Sequence, residues 1–236
     1  MNKIAELFLD MLYPQRCPLC HEILRKTENS LVCRECSREV KPFTGARCMK
    51  CGKPVKEEEE YCKECRKGKH VFTEGRGIFL YSGKWRRSIV RFKYYGCREY
   101  GDFYARALSI YGRKELERWK PDLIVPVPLH PRKKRMRGFN QAEYIACGVS
   151  RNTGIPWSGQ TVRKIKNTRS QKKLDRDARR RNLKRAFQVT ENLEGKRILV
   201  VDDVYTTGST MDAMAMCLMD AGAAEIYFLT VCMGGD

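Results

Sequence analysis

Apolar positions along this 236-residue chain follow two rhythms. Unbroken apolar runs at Ile198 to Val201 and within Asp122 to Val127 (DLIVPV) predict buried strands, Ile226 to Cys232 reads as the last strand, and Ile78 to Tyr81 as a short further one. Helical spacing takes over elsewhere: Trp85, Ile89 and Phe92 up to Gly96, then Phe103, Ala107 and Ile110 in a longer helix toward Trp119. Phe139, Ala142, Ile145 and Val149 form another buried stripe, and Met211, Met214, Ala215 and Leu218 a fourth. Ile4, Leu7, Phe8, Met11 and Leu12 predict a short amphipathic helix closed by Pro14. Strands alternating with helices give an α/β fold, doubly wound around a mainly parallel sheet.

The first strand does not appear until residue 78, and what precedes it is a different material. Four Cys-x-x-Cys pairs stand at Cys17/Cys20, Cys33/Cys36, Cys48/Cys51 and Cys62/Cys65. Each pair can aim two sulfurs at one metal, and two pairs complete a tetrahedral thiolate site, so two structural zinc ions are expected. Neighbouring pairs would give a double ribbon; a crossed pairing satisfies the same spacing. The chain then divides into residues 1–66, the N-terminal helix and zinc-ribbon module; 67–77, a linker containing Gly68, Gly75 and Gly77; and 78–236, the α/β domain. On this division chelation unfolds the ribbon and leaves the second domain standing. The acidic run Glu57 to Glu60 reads as a solvated loop tip, and Cys97, Cys147, Cys217 and Cys232 as isolated, packed thiols.

Charge sharpens the division. The net charge is +19, from 47 Lys and Arg against 28 Asp and Glu, a balance suited to polyanionic partners. Residues 1–66 hold 13 basic and 11 acidic side chains, and two tetrathiolate centres would add about −4, so the surplus lies downstream. Gln160 to Arg185 carries twelve cations against Asp175 and Asp177. No run of eighteen apolar residues occurs and no signal peptide is evident, which predicts no membrane span and a cytoplasmic location, at most peripheral to the inner membrane. Reduced thiols agree with that compartment.

The candidate chemistry sits where the strand at Ile198 to Val201 meets Asp202 and Asp203, a pair of carboxylates expected to end it. Thr206, Thr207, Gly208, Ser209 and Thr210 follow, small residues whose hydroxyls and backbone N–H groups can converge on an anion where a helix begins. The pocket suits phosphate on one side and ribose-like hydroxyls on the other. Neither a Gly-Lys-Ser/Thr loop nor a G-x-G-x-x-G turn is present. A second candidate is the loop Pro128 to Gly138, with His130, Arg132, Arg135 and Arg137 at the C-terminal end of a strand, where pyrophosphate could be held.

Ile198 to Thr210 (ILVVDDVYTTGST) closely resembles the phosphoribosyl pyrophosphate (PRPP) motif of type I phosphoribosyltransferases. The resemblance implies that Asp202 and Asp203 hold the ribose hydroxyls, that Thr206 to Thr210 wrap the 5′-phosphate, and that Mg²⁺ accompanies the PRPP. With LHPRKKRMRGFNQA around Arg137 and the four cysteine pairs, nearly the whole chain resembles the ComF family of late-competence proteins. That resemblance implies a zinc ribbon joined to a phosphoribosyltransferase fold. It also implies a part in DNA uptake during natural transformation, with single-stranded DNA and a competence helicase or other processing proteins as partners.

The basic segment then has two uses. As a phosphoribosyltransferase loop it would close over the leaving pyrophosphate. As a nucleic-acid surface, Arg163, Lys164, Lys172, Lys173, Arg179, Arg180 and Arg181 would track a phosphate backbone. Few residues follow the last strand to build a base-recognising hood. The expected function is therefore binding of a phosphoribosyl ligand and single-stranded DNA, with an active phosphoribosyltransferase of unknown acceptor as the alternative.

Overall fold

The computed structural model describes residues 14–24, 30–68, 70–165 and 186–234. The expected N-terminal helix, and Lys172, Lys173, Arg179, Arg180 and Arg181, lie outside the described residues.

Four parallel strands form the main sheet in the order β1 (Glu74–Leu80), β6 (Glu225–Met233), β5 (Arg197–Tyr205), β2 (Leu123–Pro126). β5 and β6 occupy the middle, which explains their consecutive apolar residues. Leu199 and Val201 pack with α4 (Tyr100–Tyr111) and α7 (Gln141–Thr153); Ile198 and Val200 pack with α8 (Ser209–Asp220) on the other face. Helices thus cover both faces, as the alternation predicts. A separate antiparallel pair, β3 (Val162–Lys164) with β4 (Phe187–Val189), flanks the undescribed basic segment. No helix among the described residues is long and apolar enough to cross a membrane.

Several expectations change. β5 continues through Asp202 and Asp203 to Tyr205, with Asp202 opposite Thr230 and Val204 opposite Cys232; the carboxylates do not end it, because β6 supplies ladder partners beyond them. The helix expected to run toward Trp119 is two, α4 and α5 (Arg113–Trp119), parted at Gly112. Ile110 is 56% exposed, since α4 turns Tyr104 and Leu108 inward instead. The segment read as a basic loop contains α6 (Pro131–Arg137). His130 caps it through its Nδ1, which accepts from the Arg132 N–H at 3.3 Å, and Gly138 ends it in the left-handed region.

β1 starts at Glu74, inside the stretch expected as linker. Gly75 and Gly77 are there for close approach, not for bending. A Cβ on Gly75 would lie 2.0 Å from the Phe228 ring, and one on Gly77 2.7 Å from Met233 Cβ. Gly75→Ala is therefore expected to destabilise the fold by about 2 kcal/mol through overpacking, measured as a lower urea midpoint with an unchanged slope.

The two ribbons repeat one design. A bridge pairs Arg16 with Ile23 and Arg47 with Pro54, and each second cysteine is followed by a left-handed residue, His21 (φ 74°) or Gly52 (φ 71°). Short helical turns, α1 (Arg34–Ser37) and α2 (Lys63–Arg66), carry the later cysteines. Neither ribbon stands apart from the α/β domain. Cys17, Leu19 and Cys36 share a core with Phe79 and Tyr100, while Cys48, Cys51, Cys62 and Cys65 share one with Phe72, Tyr205, Phe228 and Met233. The Gly75 N–H donates to the Lys50 carbonyl at 2.8 Å, and the half-buried Arg47 guanidinium donates to the Gly77 carbonyl at 2.9 Å.

Candidate ligand site and metal centres

The eight paired cysteines form two groups, Cys17, Cys20, Cys33 and Cys36, and Cys48, Cys51, Cys62 and Cys65, with all sulfurs in each group within 4.8 Å of one another. Neighbouring pairs therefore combine, and the crossed alternative does not occur. Cys20 and Cys33 Sγ are 3.7 Å apart, as are Cys51 and Cys62 Sγ. Zn–S bonds of about 2.3 Å in a tetrahedron put sulfurs roughly 3.8 Å apart, so both groups fit zinc. Four thiolate ligands leave no open coordination position, which makes the metal structural. Burial pushes the Cys36 thiol up, so the cation is needed to keep it deprotonated.

Asp202, Asp203 and Thr206 to Thr210 gather at the C-terminal end of β5, but the two acids differ. Asp203 is buried, and its Oδ1 lies 2.6 Å from Lys93 Nζ, on α3 (Gly83–Tyr94). Asp202 remains partly exposed, and its Oδ1 accepts the Asp203 N–H at 2.9 Å. Its carboxyl is pushed up to about 7, first by burial and then by the charge of Asp203, with Lys93 and Lys164 opposing. The two acids thus have different surroundings: Asp202 lines the turn that follows β5, and Asp203 faces a cation.

The turn after β5 forms a small cradle of about 30 Å³, lined by Asp202 and by residues from Val204 to Met211. Gly208 sits at φ 80° as the residue before α8, and no side chain among the described residues caps the helix, which leaves its first N–H groups without a capping partner there. Thr207 Oγ1 and Ser209 Oγ are 3.1 Å apart at its rim. Beneath Gly208 lies His70, where an added Cβ would come within 2.5 Å of His70 Cε1. The His70 ring holds Asp212 through Nδ1 and Oδ2 at 2.8 Å, and the Val71 N–H donates to Asp212 Oδ1 at 3.1 Å. The one acid in the first turn of α8 is thereby tied to the segment that follows the second ribbon rather than facing the cradle. Neither Lys93 nor His70 has a local sequence signal; each meets the site only through the fold.

A larger cavity of about 770 Å³ opens beside α6 and β3, lined in part by His130, Lys134, Arg135, Arg163 and Lys164. Burial lowers the Lys164 ammonium, as does Lys133, while the charge of Asp202 counteracts this. The structure therefore unites His130 and Arg135, expected to meet pyrophosphate, with Arg163 and Lys164, expected to meet DNA. Arg132 and Arg137 do not line it: Arg132 is exposed on α6, and Arg137 donates to Tyr94 Oη at 2.9 Å and Gln141 Oε1 at 3.0 Å.

Because burial keeps Asp202 protonated to higher pH in the fold than in the unfolded chain, its contribution to stability is full below about pH 4 and is lost as pH rises through 7. Asp202→Asn, which cannot ionise, is expected to melt several degrees above the parent at pH 8, with the gain shrinking toward pH 5.5. Thermal scans across that range check the sign.

Comparison with known proteins agrees with this anatomy. Residues 8–66 match the family described as double zinc ribbon domain, and residues 145–236 the phosphoribosyl transferase domain. Competence protein F of Haemophilus influenzae is 33% identical over 217 residues, which is 89% of this chain and 93% of that protein. The chain belongs to the ComF family. DNA utilization protein YhgH of Salmonella typhimurium is 29% identical over 222 residues, 93% of this chain and 97% of its own. Competence protein ComFC of Bacillus subtilis is 28% identical over 206 residues, 82% and 80% of the two chains. A purine phosphoribosyltransferase structure from Pyrococcus horikoshii superposes loosely, with a TM-score of 0.37 and 21% identity over 56% of this chain and 72% of that one. The zinc ribbon and the phosphoribosyltransferase-type α/β domain of this ComF-family chain are the two parts that its sequence pattern outlines.

Proposed function

We propose that this ComF-family protein binds PRPP or a related phosphoribosyl ligand and handles single-stranded DNA during natural transformation. The observation that carries the ligand reading is the uncapped start of α8 beside the partly exposed Asp202. The 5′-phosphate seats on the N–H groups and hydroxyls of Thr206 to Thr210, and Asp202 accepts from a ribose hydroxyl. The cations His130 (when protonated), Lys134, Arg135, Arg163 and Lys164 face the pyrophosphate side. Mg²⁺ enters with the ligand, because the described residues offer no ready-made oxygen cage and the phosphate oxygens complete its shell.

The DNA part rests on the +19 charge and on what the relatives are called, competence protein F and DNA utilization protein. Lys172, Lys173, Arg179 and Arg180 belong to the most basic segment. Reversing their charges should flatten the salt dependence of DNA affinity, and an unchanged slope would remove that segment from the interface. Both activities suit the cytoplasm, at most the inner-membrane surface.

Calorimetric titration of the zinc-loaded protein with PRPP and Mg²⁺ tests the ligand reading. A saturable heat that Asp202→Asn abolishes supports it; no heat from the parent rejects it. An assay of the same mixture for released pyrophosphate distinguishes a transferase from a protein that binds the ligand unchanged.

A further inference from the structure

A second basic cleft lies away from the acid pair, between the first zinc ribbon and the outward side of α3. Its volume is about 540 Å³, and Arg86, Arg87, Arg91, His21 and Tyr95 line it. α3 itself explains the arrangement. Ser88, Ile89 and Phe92 turn into the core, which leaves Arg87 and Arg91, four residues apart, on one outer face with Arg86 beside them. Val90 supplies an apolar floor.

Some cations elsewhere on this surface have a carboxylate beside them, such as Lys84 with Glu39, Arg118 with Glu74 and Lys134 with Glu143. Arg86, Arg87 and Arg91 make no ion pair among the described residues. Three guanidinium groups held together without a counter-charge repel one another, and an anion relieves that repulsion. At the C-terminal end of the same helix Tyr95 is 72% exposed, whereas the neighbouring Tyr94 ring has the Arg137 guanidinium 4.7 Å over its face.

We infer that this cleft is a docking site for single-stranded nucleic acid, with phosphates on the three arginines and a base stacked on Tyr95. Guanidinium groups one helical turn apart, about 6 Å along the axis, meet successive phosphates of an unpaired strand. A splayed base uses the tyrosine face, which a duplex would keep in its own stack. An acidic peptide would satisfy the arginines and leave the Tyr95 ring wet. The inference rests on the proposed DNA handling and assigns it a place that the 160–185 segment does not include. Two turns beyond Arg86 on the same helix, Lys93 pairs with Asp203, so the strand would lie along the helix that also braces the ligand site.

The test is fluorescence anisotropy of zinc-loaded, full-length protein with a labelled oligo-dT of twenty nucleotides at several KCl concentrations. Arg86→Glu/Arg87→Glu/Arg91→Glu is expected to bind at least tenfold more weakly, with a log–log salt slope shallower by about 2. Tyr95→Ala is expected to lose roughly tenfold with the slope unchanged. A control of equal charge change on exposed side chains elsewhere, Arg106→Glu/Lys114→Glu/Lys120→Glu, is expected to stay within about threefold of the parent. Equal losses in the two triple variants, or none in the cleft variant, overturn the site. So does a cleft variant that keeps oligo-dT binding but no longer binds phosphatidylglycerol vesicles, which would make the cleft a membrane contact. A parent that does not bind oligo-dT at all refutes the DNA part of the proposed function itself.

Discussion

Cys51→Ser is expected to lower the thermal midpoint of the whole protein by about 10 °C or more, with the α/β domain melting early alongside the ribbons. The reason is the shared core. Cys48, Cys51, Cys62 and Cys65 pack with Phe72, Tyr205, Phe228 and Met233, so loss of the second zinc strips a side from the sheet. It also releases the Gly75 to Lys50 backbone hydrogen bond and the Arg47 contact to Gly77 that join the ribbon to β1. The cysteine spacing alone predicts a separable module whose loss leaves the second domain intact; the packing predicts otherwise. Circular dichroism melts of parent and variant, with chelator titration of the parent, decide between them. Two transitions after chelation, the upper one unchanged, would show that the shared core contributes little.

Removing the cation beside Asp203 should produce the second large effect. Burial alone would lower the Lys93 ammonium, yet the charges of Asp203 and Asp202 outweigh it and hold the group above its ordinary range. Lys93→Met leaves the buried Asp203 carboxylate with no counter-charge, at an expected cost of about 3 kcal/mol. The double variant Lys93→Met/Asp203→Asn should recover most of this, because an unpaired charge and not the lost packing dominates. Urea titrations of the two single variants and the double variant give the coupling directly. Additive losses would mean that the two side chains do not depend on each other.

How much of this was readable from the chain depends on how local each cause is. β5 is legible because four consecutive apolar residues have no other explanation in a sheet buried on both faces, and the anion cradle because its residues are contiguous from Thr206 to Thr210. α6 is hidden by its own surface: none of its residues is buried, so no apolar period marks it, though Pro131 at its start and Gly138 after its end are helix signals that the run of cations masks. Gly75 and Gly77 read as a hinge because sequence cannot show what a glycine faces; Phe228 and Met233 lie some 150 positions away along the chain. The pairing of the cysteine knuckles, the Lys93 contact and the His70 to Asp212 contact are likewise set by long-range folding. Identical Asp-Asp neighbours give no hint that one turns inward to a lysine while the other keeps an open face.

Crystals of the zinc-loaded protein soaked with PRPP and Mg²⁺ test the central claim most directly. The account predicts the 5′-phosphate on the first N–H groups of α8, within hydrogen-bond reach of Thr207 and Ser209, and a ribose hydroxyl against Asp202. A cradle still empty at saturating ligand, with the sugar phosphate bound elsewhere and Asp202 untouched, would contradict it.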